Sequence, residues 1–406
     1  MIKPEILAPA GDYDKLRAAV LYGADAVYLG GEEFSMRVAC SNFSDDDIKR
    51  GIDFAKENGR KIYIATNVIM KNDDIEKVAD FAKKIYSYGA DAVILSDMGA
   101  FAAVKDAAPK LDIHVSTQAN TNNYASANMW HSLGASRVVL SREMSYPEVK
   151  ELRQKTDLSL ELELFVHGAM CISYSGRCLL SSFMTGREAN RGECAQPCRW
   201  KYYLMEEKRP GEYMPVFEGD NGSYFFNSKD LCLIEYIPEL VDSGVTSFKI
   251  EGRVKSEYYV ANTVKAYRRE VDRYFENPEK YVFDKNQLSE LGKVSHRVYS
   301  TGFWHGTPSA DGQIYDSSAY IRDYEVVGVV KECDDSGNAL VEQKNKFSVG
   351  DKIEVMQPFG ETFEFTADNM KNEKGEDIRS APHGKMAVKI KLPQRADVNS
   401  MLRKAK

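Results

Sequence analysis

The sequence predicts an α/β protein: a (β/α)8 barrel of the TIM type with a cysteine-rich insertion, followed by a small C-terminal β-barrel domain. A phrase that begins with Gly and continues into a short apolar run recurs at 23–31, 89–97, 134–142 and 244–252. Amphipathic helical patterns lie between the apolar runs, and eight short buried strands that alternate with helices are typical of this barrel. A doubly wound sheet is the alternative, because the count of eight depends on the first and last strands.

Each predicted strand is a short apolar run bounded by polar residues or Gly. The Gly that opens each repeat can end the preceding helix in the left-handed conformation. Between the second and third strands we predict a helix over Asp46–Asn58, with Ser44 as N-cap and Asp47 three residues later, a variant of the capping box. The eight strands are predicted at 4–8, 25–29, 61–66, 91–95, 112–116, 136–140, 160–166 and 246–250.

The predicted domain organisation has four parts. Short β patterns begin at Tyr320, and small β-barrels of this kind present a surface to RNA or protein. We therefore expect any protein partner to bind this second domain. The parts are a catalytic barrel at 1–275 with the insertion at about 168–240, a helical and turn-rich linker at 276–318, the small β-barrel domain at 319–396 and a basic tail at 397–406.

Composition and charge bound the function. The chain has 406 residues, 43% of them hydrophobic and 28% charged, which is typical of globular protein and ample for a large core. It contains no run long enough to span a membrane and no leader pattern, so we expect a cytoplasmic protein without a membrane partner. The formal charge of −7 argues against general DNA binding, whereas a local basic patch could still bind RNA.

Five of the seven cysteines suggest a metal or cluster site. Disulfides fit poorly in a long chain without a secretion signal. Zinc normally takes two short Cys pairs, and only Cys194 and Cys198 form one here. Iron–sulfur clusters accept the wider spacing of Cys171, Cys178 and Cys232. Buried packing is the remaining alternative, but Gly, Pro and Arg interrupt the segment, and cationic neighbours stabilise thiolates.

The run Glu163–Ser181 has the pattern Glu-x-Phe-x-x-Gly-Ala-Met-Cys-x4-Gly-x-Cys-x-Leu-Ser. This pattern resembles, without a departure, the signature of peptidase family U32. The motifs at Ala8–Gly11, Ser116–Asn120, Arg191–Cys198 and Lys249–Arg253 also resemble that family, and the resemblance covers nearly the whole chain, including the C-terminal β module. The family was named for collagenase-like proteases. Its better-understood branches are oxygen-independent hydroxylases that carry a [4Fe-4S] cluster and use prephenate.

The resemblance implies a prephenate-dependent enzyme that hydroxylates the wobble uridine of tRNA to 5-hydroxyuridine. Other branches act on ribosomal RNA or on ubiquinone precursors. The implied cofactor is a [4Fe-4S] cluster, the implied co-substrate is prephenate, and the implied partner is tRNA. Two alternatives stay open: a U32-type peptidase, and a non-catalytic RNA-binding or maturation factor with a structural cluster.

The resemblance also implies the cluster ligands, which we take as Cys171, Cys178, Cys194 and Cys232. Members of the family use either the Cys-x3-Cys pair or a distant downstream Cys for the last position. This chain has both, so Cys198 is the alternative to Cys232.

In a barrel, the residues that follow each strand share one mouth. Amide and guanidinium groups at such a mouth suit carboxylates, so Arg142 and Arg253 could bind the two carboxylates of prephenate. His167 could act as a general acid or base or lie beside the cluster, and a strand-end His bonded to the backbone is equally consistent with the sequence. The predicted catalytic residues are His167, Arg142, Glu251 and Arg253, and the predicted substrate-binding residues at the mouth are Gln118 and Asn120.

The insertion carries a local basic excess, with five Lys or Arg against two Glu from Cys171 to Lys201. We predict that Arg187, Arg191 and Arg199 bind tRNA phosphates there, although most charge runs are only solvated surfaces. The sequence has no Gly-x-Ser-x-Gly elbow and no His-Glu-x-x-His helix. No peptidase nucleophile is therefore visible from motifs.

Overall fold

A computed structural model of the chain describes residues 2–35, 42–171, 178–187, 192–202, 223–224, 228–306 and 320–406. The chain forms two compact units. The first comprises Met1–Val20, Ala24–Asp284 and His296–Tyr320, and the second comprises Leu21–Gly23, Lys285–Ser295 and Ile321–Lys406. No helix in the described part of the chain is both long and apolar enough to cross a membrane.

The first unit is a closed barrel of eight parallel strands, which confirms the predicted fold class. Each strand pairs with the next, and the last pairs with both the seventh and the first, so the sheet is closed rather than doubly wound. All eight strands lie within two or three residues of their predicted positions. They are β1 (Glu5–Pro9), β2 (Ala26–Leu29), β3 (Lys61–Ala65), β4 (Ala92–Leu95), β5 (Asp112–Val115), β6 (Arg137–Val139), β7 (Glu161–Ala169) and β11 (Ser247–Ile250).

Helices lie between the strands, as the alternating pattern predicts. Ser44 caps α2, because its Oγ accepts a hydrogen bond from the Asp47 amide at 3.2 Å and donates one to the Asp47 carboxylate at 2.7 Å. Gly89 ends α3 in the left-handed conformation, with φ of 93°. The helices are α1 (Tyr13–Leu21), α2 (Asp45–Glu57), α3 (Ile75–Tyr88), α4 (Met98–Ala107), α5 (Tyr124–Ser132), α6 (Tyr146–Gln154), α7 (Leu180–Thr185), α8 (Ile237–Asp242), α9 (Glu257–Glu276) and α10 (Asn286–Gly292).

The insertion between β7 and β11 adds strands outside the barrel. Strands β8 (Lys201–Tyr202) and β9 (Ser223–Tyr224) form the predicted antiparallel hairpin. Strand β10 (Asp230–Cys232) pairs antiparallel with β7, and β12 (Tyr299–Ser300) pairs in parallel with β10. The segment predicted as a linker at 276–318 is therefore divided in the structure: β12 extends the sheet of the first unit, whereas α10 belongs to the second.

The second unit is built on a six-stranded antiparallel sheet in the order β17-β16-β20-β13-β14-β19. Val341, Phe347, Val355 and Leu402 are fully buried in its core. The prediction of a basic tail at 397–406 is wrong. The segment contains Lys and Arg, but its residues form the central strand β20, which pairs with β13 and β16. The strands are β13 (Tyr324–Cys333), β14 (Asn338–Gln343), β15 (Phe347–Ser348), β16 (Lys352–Met356), β17 (Phe363–Thr366), β18 (Ser380–Ala381), β19 (Ala387–Lys391) and β20 (Met401–Ala405).

Candidate active site at the barrel mouth

The carboxyl ends of the barrel strands surround a cleft, which we call the mouth. Its walls combine aromatic and aliphatic side chains with amides, hydroxyls, three cations and one carboxylate. Active sites of this fold lie at this end of the barrel, where polar groups from several strands converge. The mouth is lined by Tyr28, Ala65, Asn67, Ile94, Ser116, Thr117, Gln118, Arg142, Phe165, Lys249, Glu251 and Arg253.

Arg142 is held in a fixed orientation in this mouth. Its Nη1 donates to the carbonyl oxygen of Ala169 at 2.8 Å, and its guanidinium lies 3.9 Å from the centre of the Phe165 ring. Its Nη2 is 3.8 Å from a carboxylate oxygen of Glu251, a loose ion pair. Its buried Nε has no hydrogen-bond partner within the described ranges. Arg142 therefore retains a donor for a ligand.

Arg253 is almost completely buried, at 5% exposure, and its Nη1 donates to the Ser35 hydroxyl at 2.6 Å. Two glycines make room for it. A Cβ on Gly30 would lie 2.4 Å from Nη1, and a Cβ on Gly11 would lie 2.1 Å from the Arg253 carbonyl oxygen. Any larger residue would displace the arginine, so both turns require glycine at these close approaches.

The loop after β5 supplies the predicted amides. The backbone N–H of Gln118 donates to the Ser116 hydroxyl at 3.3 Å. The side-chain Oε1 of Gln118 is buried without a partner in the part of the chain that the structure describes. Asn120 adopts the left-handed conformation, with φ of 52°, and its Nδ2 donates to the Gln118 carbonyl at 3.1 Å. Gln118 thus faces the mouth as an unsatisfied acceptor, whereas Asn120 stabilises the turn.

Sequence reasoning missed a network of charged side chains that lies inside the barrel below the mouth. The Lys249 ammonium donates to one oxygen of Glu163 at 2.6 Å, and Arg137 Nη1 donates to the other oxygen at 3.0 Å. Arg137 also pairs with Glu5 at 2.7 Å and with Glu161 at 2.6 Å. The exposed fractions of Lys249 and Glu163 are only 4% and 0%. A charged residue within an otherwise apolar strand run was the signal that could have identified both.

The pairing opposes the effect of burial on the pKa values in this charged network. Burial disfavours the Glu163 carboxylate, but the charges of Lys249 and Arg137 more than offset it, so the pKa of Glu163 lies below its ordinary value. Burial lowers the pKa of Lys249, and Glu163 opposes that shift. Burial also lowers the pKa of Arg137, but Glu5 and Glu163 outweigh it and the net pKa is raised.

His167 does not line the mouth. The register between β7 and β11 shifts by one residue, since Lys249 pairs with Phe165 whereas Ile250 pairs with His167. This bulge reverses the alternation of side chains, so His167 faces away from the barrel interior. Its ring lies 5.6 Å from that of Tyr267 on α9.

The environment of His167 favours the neutral imidazole. Three tyrosine rings surround it, with centres 5.2 to 6.0 Å away. Its Nδ1 contacts the Tyr267 hydroxyl at 3.5 Å, and its Nε2 has no partner among the described residues. Burial, together with the smaller electrostatic effects of His296 and Lys255, lowers the pKa of His167 to about 3.

The cysteines differ in their surroundings. Cys171 and Cys194 are exposed, and Cys178 and Cys198 are half-buried. Cys232 is buried opposite His167, and burial raises the pKa of its thiol to about 12. Among the residues that the structure describes, no three His, Cys, Asp or Glu side chains come together as a metal site.

The donor set nevertheless fits a cluster in its chemistry. Four thiols lie on one connection, and that connection begins two residues after Ala169, whose carbonyl is bound by Arg142. Thiolates are the ligands that iron–sulfur clusters take. The ligand set of Cys171, Cys178 and Cys194 with Cys232 or Cys198 stays a prediction.

The predicted RNA contacts lie on the same connection. Arg187 is exposed just after α7, and its amide hydrogen bonds to the Thr185 hydroxyl at 3.3 Å. Arg191 lies outside the described residues, and so does the side chain of Arg199, whose backbone lies in the 3-10 turn Pro197–Arg199. A surface formed by these three arginines stays a prediction.

Comparison with known proteins gives the family. The model of peptidase family U32 matches residues 11–314, and the model of the peptidase family U32 C-terminal domain matches residues 322–403. The chain is 39% identical over 405 residues to "tRNA hydroxylation protein P1" of Bacillus subtilis, which covers 100% of this chain and 95% of that protein. It is 37% identical over 442 residues to "tRNA hydroxylation protein P" of Escherichia coli, covering 99% of this chain and 96% of that protein.

The name of a third relative refers to a different RNA. The "23S rRNA 5-hydroxycytidine C2501 synthase" of Escherichia coli is 34% identical and covers 81% of this chain but 49% of that protein. The family matches span both units of the fold and confirm the resemblance drawn from the Glu163–Ser181 run. This chain belongs to peptidase family U32.

Proposed function

We propose that this protein hydroxylates a wobble uridine of tRNA, with a [4Fe-4S] cluster as cofactor and prephenate as the source of the hydroxyl group. The observation that carries the reaction class is the 39% identity to a protein named for tRNA hydroxylation, because that likeness extends over the whole chain and both units. The relative named for hydroxycytidine synthesis in ribosomal RNA supports the same chemistry on a pyrimidine base.

The mouth supports a small carboxylate ligand. Arg142 and Arg253 converge on it, and each is anchored by a hydrogen bond at 2.8 Å and 2.6 Å that fixes the direction of its guanidinium. Guanidinium groups held in this way bind carboxylates with charge-assisted, directional hydrogen bonds. The unsatisfied Oε1 of Gln118 suits a hydroxyl donor on the same ligand. Prephenate carries two carboxylates and one hydroxyl group.

The cysteines of the insertion would hold the cluster, and a bound cluster would supply electron transfer. Arg142 connects the two regions, since it lines the mouth and also binds the carbonyl oxygen of Ala169 at the start of the cysteine connection. In this proposal Arg142 orients the co-substrate, and Glu251 forms a loose ion pair with the Arg142 guanidinium.

The peptidase alternative has a visible Ser–His contact to consider. Ser159 Oγ lies 3.1 Å from His131 Nε2, but the Asp157 carboxylate accepts from Ser159, and His131 Nδ1 faces the Ala135 carbonyl at 3.2 Å. A catalytic triad needs the carboxylate on the histidine. The pair also precedes β7, at the end of the barrel opposite the mouth.

The experiment compares tRNA nucleosides by mass spectrometry from cells with and without the gene. We expect 5-hydroxyuridine to disappear on deletion and to return with the wild-type gene but not with Arg253→Gln. In cells that make the protein, the modification should disappear when chorismate synthesis is blocked and persist without oxygen. An unchanged nucleoside profile on deletion would remove the tRNA proposal. Persistence without chorismate would remove prephenate alone.

A further inference from the structure

Lys249 lies in the mouth but had no role in the predicted site. It is the third residue of β11, one layer below the loop residues Glu251 and Arg253. Its ammonium lies 4.5 Å from the centre of the Tyr28 ring and 5.4 Å from that of Phe165. The side chain therefore reaches the floor of the mouth between two aromatic walls.

The charge balance of the mouth favours an anion. Among its described lining residues, the three cations Arg142, Lys249 and Arg253 face one carboxylate, Glu251, which leaves a formal charge of +2. Glu163 offsets the Lys249 charge, because Arg137 also pairs with Glu5 and Glu161. Arg142 and Arg253 against Glu251 then leave a charge of +1 in the mouth. An excess of buried positive charge is costly unless an anion offsets it.

Two of the cations lie against the same aromatic ring. The Arg142 guanidinium lies 3.9 Å and the Lys249 ammonium 5.4 Å from the centre of the Phe165 ring. A ligand that carries two carboxylates beside an apolar ring would offer one carboxylate to each cation while the ring packs on Phe165 and Tyr28. The buried Nε of Arg142 is one donor available to one of these carboxylates within the described structure.

We propose that Lys249 binds one carboxylate of a small dicarboxylate at the floor of the mouth, and that Glu163 and Arg137 hold its ammonium in position. This inference rests on the proposed function for the identity of the ligand and adds a third contact to it. Lys249 touches the ligand, whereas Glu163 is a positioning residue that acts through Lys249. Its second oxygen is fixed by Arg137, so the Glu163 carboxylate cannot turn away from the ammonium.

The test measures binding of two probes, prephenate and phenylsuccinate, to the anaerobically purified full chain by calorimetry. Phenylsuccinate also carries two carboxylates and a six-membered ring. We expect Lys249→Met to weaken binding of each roughly 10- to 150-fold, the effect of losing one hydrogen bond to a charged group. The matched control is Lys293→Met, which removes a lysine paired with Glu290 and Glu354 at 2.8 Å in the second unit. Its dissociation constants should match the wild type.

A second variant separates positioning from structure and does not depend on how well Lys249→Met folds. In Glu163→Gln the ammonium loses its carboxylate while burial still lowers the pKa of Lys249, so the charged form is lost at lower pH. Probe binding should therefore fall off at a lower pH than in the wild type. A purely structural role would weaken binding without moving that pH. The charged or titratable groups around the ammonium are Glu163 on β7, Arg137 on β6, Tyr28 on β2, His114 on β5, Glu251 after β11, and the guanidiniums of Arg142 and Arg253.

The outcomes distinguish this inference from the proposed function. Weaker binding of both probes by Lys249→Met, with the shifted pH profile in Glu163→Gln, supports both. Lys249-dependent binding of phenylsuccinate alone supports the inference and removes prephenate from the function. Equal binding of prephenate by the wild type and Lys249→Met overturns the inference and leaves the function intact. If neither probe binds the wild type, both are overturned.

Discussion

Replacing Arg137 with Met should destabilise the barrel strongly. The guanidinium is 3% exposed and pairs with Glu5 at 2.7 Å, Glu161 at 2.6 Å and Glu163 at 3.0 Å. Without it, Glu163 keeps only the Lys249 contact among those the structure shows, and one buried oxygen loses its donor. Breaking a buried ion pair by removing one partner costs about 3–5 kcal/mol. We expect a loss in that range.

The matched control is Arg60→Met. Arg60 also lies at the amino end of a barrel strand, but it pairs with Asp25 at 3.4 Å and the two side chains are 35% and 32% exposed. Exposed pairs contribute about 0–1 kcal/mol, so this variant should lose little stability. The difference between the two variants isolates the effect of burial.

Tryptophan fluorescence during urea unfolding measures the loss. The three tryptophans, Trp130, Trp200 and Trp304, all belong to the first unit, so the signal reports on the barrel rather than on the C-terminal module. Equal losses in Arg137→Met and Arg60→Met would refute the reasoning.

The effect should also depend on pH. The pKa of Glu163 is lowered in the folded state, so its contribution to stability is present above its ordinary value near 4.5 and is lost as pH falls through the folded value. Arg137 supplies part of that shift. The stability difference between the wild type and Arg137→Met should therefore narrow as the pH falls below about 4.5. A gap that widens in acid would contradict the assignment of Glu163 as ionised.

Three further predictions concern the remaining parts of the molecule. Cys232→Ala should lose iron after anaerobic purification whereas Cys198→Ala should retain it, and the reverse result would assign the fourth ligand to Cys198. The affinity of the wild type for tRNA should fall steeply with salt, and changing Arg187 and Arg199 together to Glu should weaken tRNA binding without changing the iron content. An affinity for tRNA that does not depend on salt would contradict this prediction. Asp97→Ala should cost about 1 kcal/mol of barrel stability without affecting probe binding, because its carboxylate accepts from the Ala100 amide at 2.9 Å as the N-cap of α4; a change in probe affinity would show a further role.

The barrel could be predicted because its signals are local. A Gly that must take positive φ marks the end of α3 at Gly89, where φ is 93°, and the adjoining apolar run marks the next strand. The mouth then followed from topology, since the residues after each strand meet at one end. Gln118, Arg142, Glu251 and Arg253 are accordingly brought together.

The interior of the barrel could not be predicted in the same way. A strand buried on both faces appears in the sequence as an apolar run, and this rule assigns no partner to a charge within it. Glu163 and Lys249 are 86 positions apart, so only barrel closure brings them to 2.6 Å. The strand β20 was missed for a related reason. A count of charges assigns Arg403 to a solvated tail, but this residue is 0% exposed and pairs with Glu354.

Strand β7 shows why the sequence alone could not predict which residues face the mouth and which lie beside the cysteines. Glu163 and Phe165 point into the barrel, and simple alternation would place His167 there too. The bulge opposite Lys249 and Ile250 turns His167 outward to the layer that holds Cys232. One strand thus places side chains in two regions, the mouth on its inner face and the surroundings of Cys232 on its outer face. Because Ala169 at its end is bound by Arg142, a ligand that moves this guanidinium would alter the geometry where the cysteine connection begins.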